Sequence, residues 1–196
     1  MIHCEYDRRE ALRVNSIGRE VWEWAKTFAV VLVIVLLVRM FLFANYVVHG
    51  ESMMPTIEDG ERLIINKVGY EIADPERFDL VVFNATDDSD YIKRIIGLPG
   101  DELRFEDDEL YINGESYDEP YLDEAKGTYS AGPFTYDFSL LEVTGEAVVP
   151  EDQLFVLGDN RRNSLDSRQL GYIAIDDVVG KANIRYWPVD DISMIP

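Results

Sequence analysis

Ser52 stands in the stretch Gly-Glu-Ser-Met-Met-Pro-Thr, and 41 positions later Lys93 stands in Asp-Tyr-Ile-Lys-Arg-Ile-Ile-Gly-Leu-Pro-Gly-Asp. A serine hydroxyl attacks a carbonyl only when a nearby base takes its proton. Two histidines could serve, but His3 lies on the far side of a long apolar segment and His49 is three residues before Ser52. On an extended strand that spacing is roughly 10 Å and puts the two side chains on opposite faces. A Ser-His-Asp triad is therefore disfavoured, and a Ser-Lys pair, a variant of the same logic, is the reading left. A lysine base must be neutral, and with an ordinary pKa near 10.4 only about one in 2,500 is neutral at pH 7. Bringing that pKa to about 8 takes roughly 3 kcal/mol of differential solvation, which burial against apolar neighbours supplies. Tyr91, Ile92, Ile95 and Ile96 bracket Lys93 and suit that task. Taken singly, Ser52 also reads as a turn serine ahead of Pro55, and Lys93 as an exposed strand lysine beside Arg94.

A third polar stretch, Gly-Asp-Asn-Arg-Arg-Asn-Ser-Leu-Asp-Ser-Arg, runs from Gly158 to Arg168. With the three stretches in this order behind an apolar segment, the chain resembles bacterial type I signal peptidase, in its Gram-positive form. That family is a membrane-bound Ser-Lys endopeptidase that removes signal peptides from exported proteins. The likeness runs in blocks from the apolar segment to about Tyr172, with a divergent acidic stretch between Asp107 and Pro150. It implies that Ser52 is the nucleophile and Lys93 the general base. Ser164 falls on the family position whose hydroxyl approaches the lysine amine and orients it. Asp166 and Arg168 are implied as an ion pair bracing the site, with Asp159 and Asn160 building the turn. For Arg161 and Arg162 a well-bonded loop away from the chemistry is the favoured reading. Gly97-Leu98-Pro99-Gly100-Asp101 reads as a shaped turn that ends the Lys93 strand.

The oxyanion formed at a scissile carbonyl needs two donors. The Ser52 backbone N–H is one. Many relatives from bacteria with two membranes add a serine hydroxyl two residues before the nucleophile, where this chain has Gly50. The second donor then falls to the backbone of Gly50 or Glu51, or to water. The implied substrates are preprotein signal peptides, cut after small residues. An extended peptide adds to exposed strand edges and drops alternate side chains into pockets. The strands carrying Val48 and Tyr91–Ile92 are the expected rails. Val48, Met53, Ile57, Tyr91 and Ile92 would line shallow pockets for alanine-sized groups one and three residues before the cut; all five are also ordinary core formers. The lipid bilayer and the protein-export machinery are the other implied partners.

From Phe28 to Val48 the only strongly polar residues are Arg39 and Asn45. As a helix these 21 residues would span about 31 Å, close to a bilayer's hydrocarbon thickness. No polar stripe marks Phe28 to Val38, as a buried core helix would require. The segment follows a 26-residue leader, and Leu42-Phe43-Ala44 is a poor cleavage site, so an uncleaved anchor is favoured over a signal peptide. Arg39 lies past the midpoint and can snorkel to the outer headgroups. Five Lys/Arg precede Thr27, whereas the 26 residues after Ala44 hold only Arg62 and Lys67. That asymmetry puts the N-terminus in the cytoplasm and the rest outside, in a single-pass protein of the cell membrane. The expected organisation is a cytoplasmic tail over 1–26, a transmembrane anchor over 27–48 and an extracytoplasmic protease domain over 49–196, with a hairpin-rich insertion at 101–150.

The formal net charge is −20. Residues 1–45 hold six of the 18 Lys/Arg and five of the 38 Asp/Glu, leaving 12 against 33 in the remainder. Such a surface repels phosphate backbones, which excludes a nucleic-acid partner. The single cysteine, Cys4, permits no intrachain disulfide. No cofactor is called for, and metal binding is unsupported. There is no CxxC or HExxH, and Asp87-Asp88-Ser89-Asp90 lacks the glycine and glutamate of a calcium loop.

Beyond the anchor, short β-rich runs alternate with turn residues. The candidates are 46–50, 62–67, 79–84, 91–96, 102–105, 109–112, 146–149, 153–157 and 178–187, with Asn113-Gly114 as a hairpin signal. Helical periodicity is hard to find after residue 60. The fold class is mainly β: an antiparallel sandwich or distorted barrel behind one N-terminal transmembrane helix. Two other readings compete. A self-cleaving relative of the SOS-repressor kind would carry a DNA-binding helix-turn-helix, for which the first 27 residues are too short. A non-catalytic adaptor at the export machinery would be expected to have lost Ser52 or Lys93, and both are present.

Overall fold

The computed structural model describes residues 19–37, 42–67, 74–86 and 89–195. It falls into two units, Met1–Leu42 and Phe43–Pro196. In the first, residues 19–37 form helix α1. Every residue from Val30 to Leu37 is at least 50% exposed, so no face of this apolar run is buried. Among the described residues no helix is long and apolar enough to cross a membrane.

The expected helical span over 27–48 needs correcting at its C-terminal end. Phe43–Val47 is strand β1. Its inward positions, Ala44 and Tyr46, pack on the core while its neighbours face out. Its backbone is paired residue by residue with β2, Phe43 opposite Asn66 through Val47 opposite Arg62. Apolar content alone does not separate the two outcomes; the period-two burial does.

In the second unit, β2 (Arg62–Asn66), β3 (Leu80–Thr86), β4 (Ser89–Gly97), β9 (Gln153–Leu157), β10 (Ile173–Ala174) and β11 (Val178–Trp187) join β1 in one sheet, in the order β1-β2-β11-β3-β4-β9-β10. Strand β12 (Ser193–Met194) pairs with β11. All of these pairings are antiparallel, as the sequence led us to expect. A second sheet of β7 (Glu115–Tyr117), β6 (Glu109–Ile112), β5 (Leu103–Glu106) and β8 (Phe138–Ser139) comes from the expected insertion. Its hairpin tips fall at Asp107-Asp108 and Asn113-Gly114, all four with positive φ, the turn geometry whose twist matches that of paired strands.

The largest core cluster lies between the two sheets, joining Ile96, Phe155 and Leu157 of the first to Leu103, Phe105 and Leu110 of the second. Fully burying a side chain of this size stabilises the fold by roughly 1.5–3 kcal/mol. The expected strand over 146–149 is not formed; the chain there is irregular, and Val149 instead drops into this cluster. Helices α2 (Asp123–Thr128), α3 (Leu140–Thr144) and α4 (Ser167–Leu170) were not anticipated. None reaches two turns, so none can show a 3.6-residue repeat in sequence. Local capping signals were present instead: Ser139 with Glu142, and Asp166 with Gln169, each close a reciprocal capping box.

Candidate active site

After β1 the chain stays in register for one residue more, the Val48 N–H donating to the Glu61 carbonyl and the Val48 carbonyl accepting from Gly60 N–H. It then turns through Glu51–Met54, and Met53, 1% exposed, pins the turn to the core. Gly50 adopts φ 93°, a backbone conformation strained for any other residue, which accounts for glycine at this position. Its N–H is donated to Asp59 Oδ1 at 2.7 Å. One of the expected backbone sources for an oxyanion donor is therefore already engaged. Ser52 N–H donates to no acceptor among the described residues.

Lys93 comes from the middle of β4, opposite Val81 of β3. Its Nζ lies 2.7 Å from Ser52 Oγ and donates to the Ile92 carbonyl at 2.9 Å. The residue is 3% exposed, so the strand lysine is buried rather than solvated. Burial lowers its pKa from 10.5 to about 8, against the opposing pull of the Asp166 and Asp159 carboxylates. A lysine poised there exchanges protons near neutral pH, and a hydroxyl within hydrogen-bond reach is its partner.

The Gly158–Arg168 loop closes over this pair. A Cβ at Gly158 would sit 2.1 Å from Ser164 Oγ and 2.5 Å from the Ser52 carbonyl oxygen, so only glycine lets the two serines approach. Ser164 Oγ is buried with no hydrogen-bond partner among the described residues. The implied bond from Ser164 to the lysine amine is not made in this arrangement. Asn160 fastens the nucleophile's turn, its N–H donating to the Ser52 carbonyl and its Nδ2 to the Glu51 carbonyl, both at 3.0 Å. Asp166 accepts two side-chain bonds from Arg168, from Nε and Nη2 at 2.8 Å each, one from the Arg168 backbone N–H at 3.3 Å, and one from Gly158 N–H at 3.0 Å. One carboxylate thus holds both ends of the loop.

Sequence reasoning missed the depth of polar structure behind the loop. Asp159 forms a fork with Arg94, Nε at 2.9 Å and Nη2 at 2.7 Å, with both side chains fully buried. Arg94 also lies 3.8 Å from the centroid of the Tyr121 ring. Arg161, read as part of a well-bonded loop away from the chemistry, is buried and paired with Glu119 of the insertion. Burial, the largest single influence, raises the Glu119 pKa, but the Arg161 charge and hydrogen bond, with the Lys126 charge and the Tyr121 hydroxyl, together outweigh it and hold the carboxyl below its usual range. Arg162 is exposed and donates to the Pro133 carbonyl. The acidic insertion therefore grips the loop that closes the site. No sequence signal separates buried Arg94 and Arg161 from surface arginines, because their partners lie 65 and 42 residues away.

A cleft of about 310 Å³ contains Ser52 and Lys93 and is lined by Val48, Tyr91, Ile92 and Leu165. Met53 and Ile57, expected in the pockets, are not among its walls; they pack in the core beneath, at 1% and 0% exposure. Leu165 was missed, although a large apolar residue inside a polar loop was the available signal. Strand β4 pairs with β9 only from Arg94 onward, so the β9-facing edge of Ser89–Lys93 is open among the described strands. Strand β1 likewise pairs on one side only, with β2.

Residues 21–187 match the family described as "Signal peptidase, peptidase S26". The chain is 51% identical over 167 residues to signal peptidase I of Bacillus caldolyticus, covering 85% of this chain and 90% of the relative. It is 41% identical over 179 residues to signal peptidase IB of Staphylococcus aureus strain COL, covering 89% and 94%. The crystal structure of a signal peptidase I from Enterococcus faecalis V583 superimposes with a TM-score of 0.53 at 42% identity, covering 56% of this chain and 97% of that one. On these grounds the chain belongs to the signal peptidase family, peptidase S26, and is a serine endopeptidase.

Proposed function

We propose that this chain is a membrane-anchored endopeptidase that removes signal peptides from exported preproteins after small residues, with Ser52 as nucleophile and Lys93 as general base. The observation that carries the reading is the buried Lys93 amine 2.7 Å from Ser52 Oγ, with a pKa lowered to about 8. Neutral Lys93 takes the hydroxyl proton as Oγ attacks the scissile carbonyl. The Ser52 N–H faces the developing oxyanion. The resulting ammonium passes the proton to the leaving amine, and water hydrolyses the serine ester with Lys93 again as base. Ser164 steadies the amine during the reaction; its buried hydroxyl makes no hydrogen bond among the described residues and is available to turn to it. Asp166–Arg168 and Asp159–Arg94 hold the loop that carries it.

Substrate binds extended along the open edge of Ser89–Lys93 and the outer edge of β1, with small side chains against Val48 and Ile92. Residues 27–42 form the anchor, ending before β1. Trp22 and Trp24 would stand at its cytoplasmic interface. The Lys/Arg asymmetry places the N-terminus in the cytoplasm.

The test is cleavage of a preprotein bearing an alanine-x-alanine site by wild type, Ser52→Ala and Lys93→Arg. Arginine keeps the charge but cannot act as base, so both variants should fall to background while remaining folded. Substantial turnover by Lys93→Arg would remove lysine from the base role.

A further inference from the structure

The peptide unit between Glu51 and Ser52 has the Ser52 N–H at one end and the Glu51 carbonyl at the other. It is rigid and trans, so the two groups point in opposite directions. Whatever fixes the Glu51 oxygen therefore fixes where the Ser52 N–H is aimed. Two donors hold that oxygen: Met54 N–H at 3.2 Å, from within the turn, and Asn160 Nδ2 at 3.0 Å, from the closing loop. The peptide unit on the other side of Ser52 is held by the same residue, Asn160 N–H donating to the Ser52 carbonyl at 3.0 Å. Asn160 thus grips both peptide planes that meet at the nucleophile's Cα. It is itself held on either side. Asp159 is locked in the buried fork with Arg94, and the Asn160 carbonyl accepts from Asn163 N–H at 3.0 Å.

We infer that Asn160 is a positioning residue for the oxyanion: its side-chain amide aims the Ser52 N–H at the developing charge and strengthens it as a donor. This rests on the proposed attack by Ser52 Oγ. The aim follows from the rigid plane. The strengthening follows from polarisation, since a bond accepted by an amide oxygen makes the N–H of the same unit a better donor. The device matters here because glycine at position 50 brings no side-chain donor and its N–H is spent on Asp59. The Ser52 N–H then carries a larger share of the oxyanion charge, and no neighbouring side chain corrects an error in its direction. An amide suits the task and a carboxylate does not. Nδ2 donates, whereas an aspartate would turn only lone pairs toward the Glu51 carbonyl. Asn160 acts on charge that exists only in the transition state, so its effect belongs in kcat and not in KM. It makes no bond to Lys93, whose Nζ is engaged with Ser52 Oγ and the Ile92 carbonyl.

The experiment measures kcat and KM for wild type, Asn160→Ala and Asn160→Asp on one alanine-x-alanine peptide across pH, together with inhibition by the matching peptide aldehyde. Ser52 Oγ adds to the aldehyde carbon as the carbon–oxygen π bond breaks. The hydroxyl proton passes to Lys93, and the new oxyanion lies where the Ser52 N–H points. Asn160→Ala should lower kcat by about ten- to 100-fold, less than the loss of a whole oxyanion donor, with KM within about twofold. Its inhibition constant for the aldehyde should rise by the same factor. Its acid limb should stay near pH 8, because the Lys93 proton is untouched. Asn160→Asp should lose at least as much activity. A fall in kcat with an unchanged inhibition constant is what partial unfolding gives, and would overturn the proposal. So would a loss confined to KM, a shifted acid limb in Asn160→Ala, or normal turnover in Asn160→Asp. Failure of wild type to cut the peptide would overturn this inference and the Ser-Lys reading beneath it.

Discussion

A buried lysine amine is the least comfortable residue of this molecule and the one its chemistry requires. Because the folded chain holds the Lys93 proton less tightly than the unfolded chain does, it binds fewer protons between about pH 8 and 10.5, and stability rises with pH across that window. Below pH 8 the full burden remains, roughly 3 kcal/mol, partly offset by the two hydrogen bonds of Nζ. Lys93→Met should therefore be inactive yet more stable than wild type at pH 7, by about 1–2 kcal/mol. The advantage should shrink between pH 8 and 10.5 in parallel denaturant titrations. A variant less stable at pH 7 would mean that burial is not what lowers this pKa. Ser164→Ala tests the neighbouring hydroxyl: a single oriented bond to a reacting amine accounts for about ten- to 150-fold in kcat/KM. Loss as complete as in Ser52→Ala would give Ser164 a larger part than orientation, and no loss would take it out of the site.

The elements around the pair act as spacers whose tolerances are a few tenths of an ångström. β4 delivers Lys93 to the cleft and sends the next residue, Arg94, to the buried fork with Asp159, so two adjacent cations have opposite uses on one strand. Gly158 ends β9's approach where Ser164 Oγ and the Ser52 carbonyl leave no room for a methyl group. Gly158→Ala should push the two serines apart and lower kcat/KM by about 100-fold, the scale expected of a 1 Å misplacement. Its strand content by circular dichroism should stay near that of wild type. Near-normal turnover in a folded Gly158→Ala protein would show that the loop can shift without disturbing the nucleophile.

Taken whole, the chain reads as an acidic catalytic unit with an apolar segment ahead of it. If residues 27–42 cross the bilayer with the basic leader inside, a reporter fused after Pro196 should be active only in the extracytoplasmic compartment. Reporter activity on the cytoplasmic side would reverse the topology and separate the enzyme from exported substrates. The insertion has its own place at this scale. Glu119 pairs with Arg161, and Phe105 and Leu110 share a core cluster with Phe155, so the second sheet supports the catalytic loop from behind.

Residue types and short-range rhythm carried much of this: Ser52 before a turn-forming proline, Lys93 in a run of isoleucines, Asn113-Gly114 as a hairpin tip, and most strands to within a residue or two. Such signals are local, set by the two-residue alternation of strands and by the backbone freedom of glycine and asparagine. Tertiary structure alone decided which apolar residues form the cleft and which the core, separating Val48 and Ile92 from Met53 and Ile57. It also decided that residues 43–47 pair as a strand rather than continue a helix. Only the fold could bury Arg94 beside Lys93, or bring Tyr46 to Asp90 across 44 residues of chain. Each of those outcomes depends on the register of strands far apart in sequence. A one-residue slip turns every side chain to the other face, and no local pattern records which register the core selects.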